Sequence, residues 1–295
     1  MRRLILEEPF SQAAVWSRRL GVFALLVAAI GALIIRSGIV EVVAGLAVFG
    51  AAIFLACAAV LLAGAGMAII WRTGRKGMGH VVTGVLLSLA LLAYPTWLAY
   101  VAIRLPPIND VTTDVNDPPA FSKSETALAA RARRTPSDMN EARRFEQQRA
   151  YPEVQPIVID VEAKEGYGLV REAVRALGWR IVEEADPVTK EEASAPAARP
   201  APPLPAVLRR GAPPVPPQRP VQARREPRDG RIDAIARSLI MGFPDDIAIR
   251  IKALPDQTRI DIRSASRYGR HDFGVNAQRI RRFARELQAQ LDAAQ

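Results

Sequence analysis

The chain has a single cysteine, Cys57, so no intramolecular disulfide can form and cysteine usage leaves the redox compartment open. No Asp, Glu, Lys or His falls in the middle of the long apolar runs that fill its first third, which removes the usual signature of a proton relay or ion path and argues against a transporter. A phosphate-cradling glycine loop is missing too, because Gly74-Arg-Lys-Gly77 is a basic turn without the strand and helix context such a loop needs. Asp245, Asp246, His271 and Asp272 could offer oxygen and nitrogen to a metal, but they lack the ligand spacing of zinc or EF-hand sites. Ser266, His271 and Asp272 are the residue types of a nucleophile triad, yet they crowd into one short turn with no nucleophile-elbow pattern. These gaps make an enzyme the weaker expectation, and no cofactor is expected.

The net charge of +10 divides almost evenly, with eight Lys/Arg against three acids up to residue 103 and 32 against 27 after it. An excess so dispersed argues against nucleic acid as a partner. Apolarity does not divide evenly. Val15 to Ile35, roughly Val42 to Ile70, and Val81 to Ile103 are nearly uncharged and long enough for the about 30 Å of hydrocarbon that a spanning helix must cross. A cleavable signal peptide is the weaker reading of the first, since two further spans follow and no convincing small-residue cleavage site separates them. The second run exceeds one span, which predicts a tilt or an extension beyond the bilayer. Ala24, Ala28 and Ala32, like Ala52 and Ala56, repeat every four residues and predict close helix packing. Pro95 predicts a kink in the third helix.

Arg2 and Arg3 precede the first run, Arg18 and Arg19 stand at its start, and Arg72, Arg75 and Lys76 fill the loop before the third. The first loop holds only Arg36, and the segment after Arg104 opens with Asp110, Asp114 and Asp117. By the positive-inside rule the N-terminus is cytoplasmic and the remainder lies outside, with Trp97 and Tyr100 at the outer interface. The expected setting is a bacterial inner membrane with a periplasmic C-terminal domain, the lipid bilayer as partner, and room for another membrane or envelope protein.

Residues 105–150 read as a tether, extended between Pro106 and Pro119, followed by helical character from Ser122 to Arg149 broken at Pro136. Residues 151–292 read as a domain. Pro156 to Val161 is a strand, the spacing of Tyr167, Val170, Val174 and Leu177 a helix ended by Gly178, and Trp179 to Glu183 a strand again. Arg231 to Ile240, Asp246 to Lys252 and Arg259 to Arg263 are further strands, the last two joined by Leu254-Pro-Asp-Gln257 and alternating isoleucine with polar or small residues. One apolar and one wet face predict an antiparallel sheet. Ile280, Phe283, Leu287 and Leu291 form one stripe of a final helix from about Val275 to Leu291. The expected fold is three transmembrane helices plus a two-layer α+β domain with an antiparallel sheet. Residues 187–229 hold 12 of the 23 prolines and almost no large apolar side chains, which reads as a disordered, basic Pro/Arg-rich insertion. It is either a tolerated loop or an arm for anionic headgroups or envelope polymers.

Informative side chains concentrate between Arg263 and Asn276. Gly269 and Gly274 suit positive φ, Asn276 suits a helix cap, and Arg267 could pair with Asp272. The alternative is an anion or polar-ligand site formed by Ser264, Ser266, Arg267, Asp272 and Asn276 at the helix N-terminus. Together with Asn109-Asp-Val-Thr-Thr-Asp114, Pro118-Pro-Ala-Phe121, Tyr151-Pro152, Leu177-Gly-Trp179 and Gly242-Phe-Pro-Asp-Asp246, this corner resembles the bacterial family catalogued as domain of unknown function 1499, over nearly all of residues 105 to 290. The resemblance implies an envelope or membrane protein with an α+β domain and carries no activity. The insertion departs from the uninterrupted domain expected of that family.

Overall fold

A computed structural model describes residues 9–134, 141–188 and 228–294. The insertion lies mostly outside the described residues. Its borders do not: Val188 and Arg228 exchange two backbone hydrogen bonds of 2.9 and 3.0 Å, closing its base.

Helices α1 (Gln12–Ser37), α2 (Val42–Thr73) and α3 (Met78–Arg104) are each long and apolar enough to cross a membrane. Small residues face inward, with Ala24, Ala28, Ala52 and Ala56 buried in one seam, while large apolar side chains such as Phe23, Phe54 and Leu86 point outward. A water-soluble bundle would do the reverse, so this inversion suits a lipid surround. At Gly84 on α3 an added Cβ would collide with Ser17 of α1, which is why only glycine permits that approach. Gly38 ends α1 in a left-handed conformation, φ 66°, and turns the chain directly into α2.

The remaining elements are β1 (Asp110–Thr112), α4 (Glu125–Ala130), α5 (Glu141–Ala150), β2 (Ile157–Ile159), α6 (Ala163–Ala176), β3 (Arg180–Ala185), β4 (Gly230–Arg237), β5 (Pro244–Leu254), β6 (Gln257–Ser266) and α7 (Val275–Ala294). The sheet is antiparallel throughout, in the order β1-β6-β5-β4-β3, with β2 beside β1 on the same edge of β6. Helices α6 and α7 cover one face, burying Val170, Val174, Ile280, Phe283 and Leu287 against Ile232, Ile247, Ile249, Ile251, Ile260 and Ile262. Trp179 stacks on Phe283 at 5.8 Å, as a core residue.

Two expectations are corrected. The stretch after Pro106 is not a free tether: β1 pairs with Arg263–Ala265, and Asp110, Val111, Thr112 and Thr113 are buried. The opposite face of the sheet is not wet either, because residues 113–134 lie over it and Asp233, Asp246, Asp261 and Arg263 are buried there. In the middle of this face Ala248 and Ala265 leave room for Phe121, whose ring lies under the guanidiniums of Arg131 and Arg263 at 5.1 and 4.9 Å. Charge survives burial here because every carboxylate meets a guanidinium: Asp233 with Arg131 at 2.7 Å, Arg263 with Asp110 at 2.6 Å, Arg250 with Asp261 at 2.9 Å. Desolvation pushes the Asp110 and Asp233 carboxyls up while those guanidiniums work against it. Burial acts the same way on Asp114, but the amides of Asp117 and Asn116 and the guanidiniums of Arg259 and Arg250 outweigh it and hold that carboxyl below the usual range.

Candidate functional site

The chain turns from β6 into α7 through residues 267–274, next to the end of α3. Gly269 and Gly274 both take positive φ, 84° and 78°, as the sequence leads one to expect. The His271 ring donates through Nε2 to the carbonyl oxygen of Leu105 at 3.1 Å, the residue that follows α3, while Nδ1 accepts from the Phe273 amide at 2.9 Å. With both ring nitrogens committed to backbone, His271 cannot act as a base for Ser266.

The five candidate ligand residues do not converge on one spot. Ser264, Ser266 and Asn276 do meet, on the helix side of the sheet. The Ser264 hydroxyl donates to the Asn276 side-chain oxygen at 2.7 Å, and the Asn276 amide nitrogen donates to the Ser266 hydroxyl at 3.0 Å and the Asn109 carbonyl at 3.1 Å. Arg267 points to the other face and binds Asp246 at 2.7 Å, so the expected Arg267–Asp272 pair is replaced by a cross-strand one. Asp272 instead accepts the amides of Gly274 at 2.8 Å and Asn276 at 2.9 Å. The cap of α7 is therefore Asp272 and not Asn276, which sits one residue inside the helix.

The sequence reading passed over the residue that completes the cluster. Arg279 donates to Ser264 at 3.0 Å, to the Asn276 oxygen at 2.7 Å, and to Asp245 at 2.5 Å, and its side chain is 8% exposed. Asp245 and Ser266 face each other across β5 and β6, so this cluster caps the apolar helix face of the sheet with a closed polar end. The signal was present: Arg279 follows Asn276 by three residues, on the same helical face. Desolvation pushes the Asp245 and Asp272 carboxyls up, opposed in Asp245 by Arg279 and in Asp272 by the two helix amides. Asp245 and Asp246, read as potential metal ligands, are thus each engaged by arginine.

The Tyr151 hydroxyl is buried beside this cluster with no hydrogen-bond partner among the described residues. Burial, and then the Asp272 charge, push its pKa up to about 12. A phenol that binds its proton more tightly folded than unfolded contributes stability below pH about 10 and loses it as pH rises through about 12. Tyr151→Phe is accordingly expected to hold or slightly raise stability at pH 7, by up to about 1 kcal/mol, and to flatten the alkaline decline. Denaturation midpoints from pH 8 to 11 check this; an unchanged alkaline slope would contradict it.

Elsewhere, Asp117, Pro118, Pro119, Asp229, Arg231 and Arg250 line a shallow groove. Both of its arginines are paired: Arg250 binds Asp117 at 2.7 Å and Arg231 binds Asp233 at 2.6 Å.

A family model described as "Protein of unknown function (DUF1499)" matches residues 110–287. No curated protein and no solved structure matches the chain. The match begins at the first residue of β1 and ends on α7 at Leu287, a core side chain, so it takes in the sheet, both covering layers and the corner. The chain belongs to the DUF1499 family.

Proposed function

We propose that the chain is a non-enzymatic protein of a bacterial inner membrane, crossing it three times with its N-terminus in the cytoplasm, whose periplasmic domain binds an anionic, phosphate-class ligand or partner at its bilayer-facing end. The distribution of Arg and Lys supports the orientation. Ser11 donates its amide to the Lys76 carbonyl at 2.9 Å, so Arg18, Arg19, Arg72, Arg75 and Lys76 gather toward one end of the bundle. The domain meets the opposite end, where Arg36 and Leu105 touch it. The six described groups most able to do chemistry (Ser264, Ser266, Asp245, Asp246, His271 and Asp272) are all engaged by neighbours within the fold, which favours binding over catalysis.

The observation that carries the anion reading is a contrast between two sets of arginines. Arg131, Arg263, Arg267 and Arg279 are buried and bound by carboxylates. Arg134 and Arg270 are exposed on the corner, where Arg134 stacks over Tyr268 at 4.7 Å and Arg270 adjoins His271, and Arg36 and Arg104 are exposed on the helix ends at the same side. In this reading Ser264, Ser266, Asn276 and Asp272 shape the corner, Arg267 anchors it to β5, and the outer arginines supply the charge. Thermal melts of the full-length protein in detergent, in phosphate against chloride at equal ionic strength, test it. The expected result is a phosphate-specific rise in Tm that the Arg134→Ala/Arg270→Ala variant loses. The same Tm in both salts for the wild type would contradict it.

A further inference from the structure

We infer that the connection between β4 and β5 is a membrane-inserting loop that seats Leu239 and Ile240 among the headgroups and upper acyl chains of the bilayer. This rests on the reading that α1, α2 and α3 span that bilayer, and not on the anionic ligand.

Leu239 is 84% exposed and Ile240 50%, at the tip of a loop on an otherwise polar end of the domain. Two adjacent, large aliphatic side chains facing water would be an unfavourable choice, and a loop has no folding need for them. Their position gives them a different solvent. The Arg36 guanidinium, near the end of α1, donates to the Leu239 carbonyl at 2.6 Å and to the Ile240 carbonyl at 3.1 Å. Arg36 follows Leu33, 67% exposed on the apolar flank of α1, by less than one helical turn, a rise of roughly 4.5 Å. The loop tip is therefore held at the depth where the apolar surface of the bundle ends. Ile39, 86% exposed in the α1–α2 turn, continues that surface to the loop.

The backbone of the loop is arranged for a poorly hydrated place. Polar backbone groups near hydrocarbon need partners within the protein. Arg36 supplies two of them; Ser238 and Gly242 are joined by a 3.0 Å backbone bond, Ser238 and Phe243 by one of 2.9 Å, and Arg237 donates to the Gly242 carbonyl at 3.1 Å. Gly242 takes φ +71°, where a side chain is strained, and a Cβ there would press on the Arg36 side chain at 3.1 Å, so glycine favours both the turn and the close approach of the arginine. Apolar side chains directed out, carbonyls directed into a cation at the helix end, and continuity with the apolar bundle surface together commit the occupant to lipid. Insertion would fix the domain at a second point besides the chain connection through Leu105, and so hold its arginine-bearing corner toward the headgroups.

Site-specific fluorescence in the full-length protein tests this. In a Cys57→Ala background, Leu239→Cys, Phe54→Cys and Val158→Cys are each labelled with an environment-sensitive fluorophore and reconstituted into vesicles of phosphatidylcholine and phosphatidylglycerol. Phe54 lies on the exposed face of α2, and Val158 lies on β2, beside the β6 residues near the far end of the sheet. The label at 239 is expected to be quenched by lipids carrying a shallow doxyl group and shielded from aqueous iodide, the label at 54 by deep doxyl lipids, and the label at 158 by iodide alone. A label at 239 that iodide quenches as strongly as the one at 158 would overturn the inference, while leaving the spanning helices intact. Shielding from both quenchers would overturn it in favour of a protein contact. Failure of lipid to quench at 54 would remove the spanning reading and the inference with it.

Discussion

Asp233→Ala is expected to cost the domain about 3–5 kcal/mol, because it takes the nearest carboxylate from the buried Arg131 guanidinium. Asp233 accepts from Arg131 at 2.7 Å, from Arg231 at 2.6 Å and from the Ser122 amide at 3.0 Å, with its side chain 2% exposed. Arg131 retains Asp246 at 3.8 Å, but Asp246 is already shared with Arg267. The loss should also release residues 121–131 from the sheet, since the same carboxylate holds Ser122. Replacing Arg131 and Asp233 together by Met and Leu should recover most of the stability, as apolar substitution of a whole buried pair commonly does. Urea unfolding of the full-length protein in micelles, with hydrogen exchange of α4 as the local probe, measures both. A loss under about 1 kcal/mol for Asp233→Ala would mean that the covered face is wetter than its burial implies.

Arg279→Ala is expected to have an effect of similar size, about 3–5 kcal/mol, on the other side of the sheet. It leaves Asp245 buried without its cation and removes a donor from both Ser264 and Asn276. Arg279→Lys should recover only part, because one ammonium cannot reproduce the fork that reaches Asp245 with one nitrogen and Ser264 and Asn276 with the other. Thermal melts of both variants check this, and full recovery with lysine would show that charge alone matters there.

Both residues also show where the sequence could be read and where it could not. The three apolar helices, the alternation in β5 and β6, and the stripe on α7 were legible because each is a local pattern whose period matches one element. The covered second face was not, since alternating charge normally means water. What distinguishes it is that the register brings carboxylates within reach of guanidiniums, as where Arg250 faces Asp261. The turn at Leu254–Gln257 fixes the register that sets Asp246 opposite Ala265, and so places Arg267 next to Asp246 on the same face. Applied to the sequence, that register would have preferred Asp246 over Asp272 as the partner of Arg267. The three-residue β1 had no such route, because its partner on β6 lies about 150 residues away and its own Asp-Val-Thr, set between Asn109 and Asp114, signals a turn. The corner was legible as a concentration of polar side chains but not as a closed cluster, because the residue that closes it, Arg279, reads as one more charge on a basic helix.

The proposed function requires the domain to stand on the far side of the membrane from the basic loop between α2 and α3. Paired fusions after Gln295 test that most directly, one to alkaline phosphatase, which is active only outside the cytoplasm, and one to a fluorescent protein that matures only inside. An active phosphatase and a dark fluorescent protein are expected; a bright fluorescent protein with an inactive phosphatase would put the domain in the cytoplasm and overturn the proposed function.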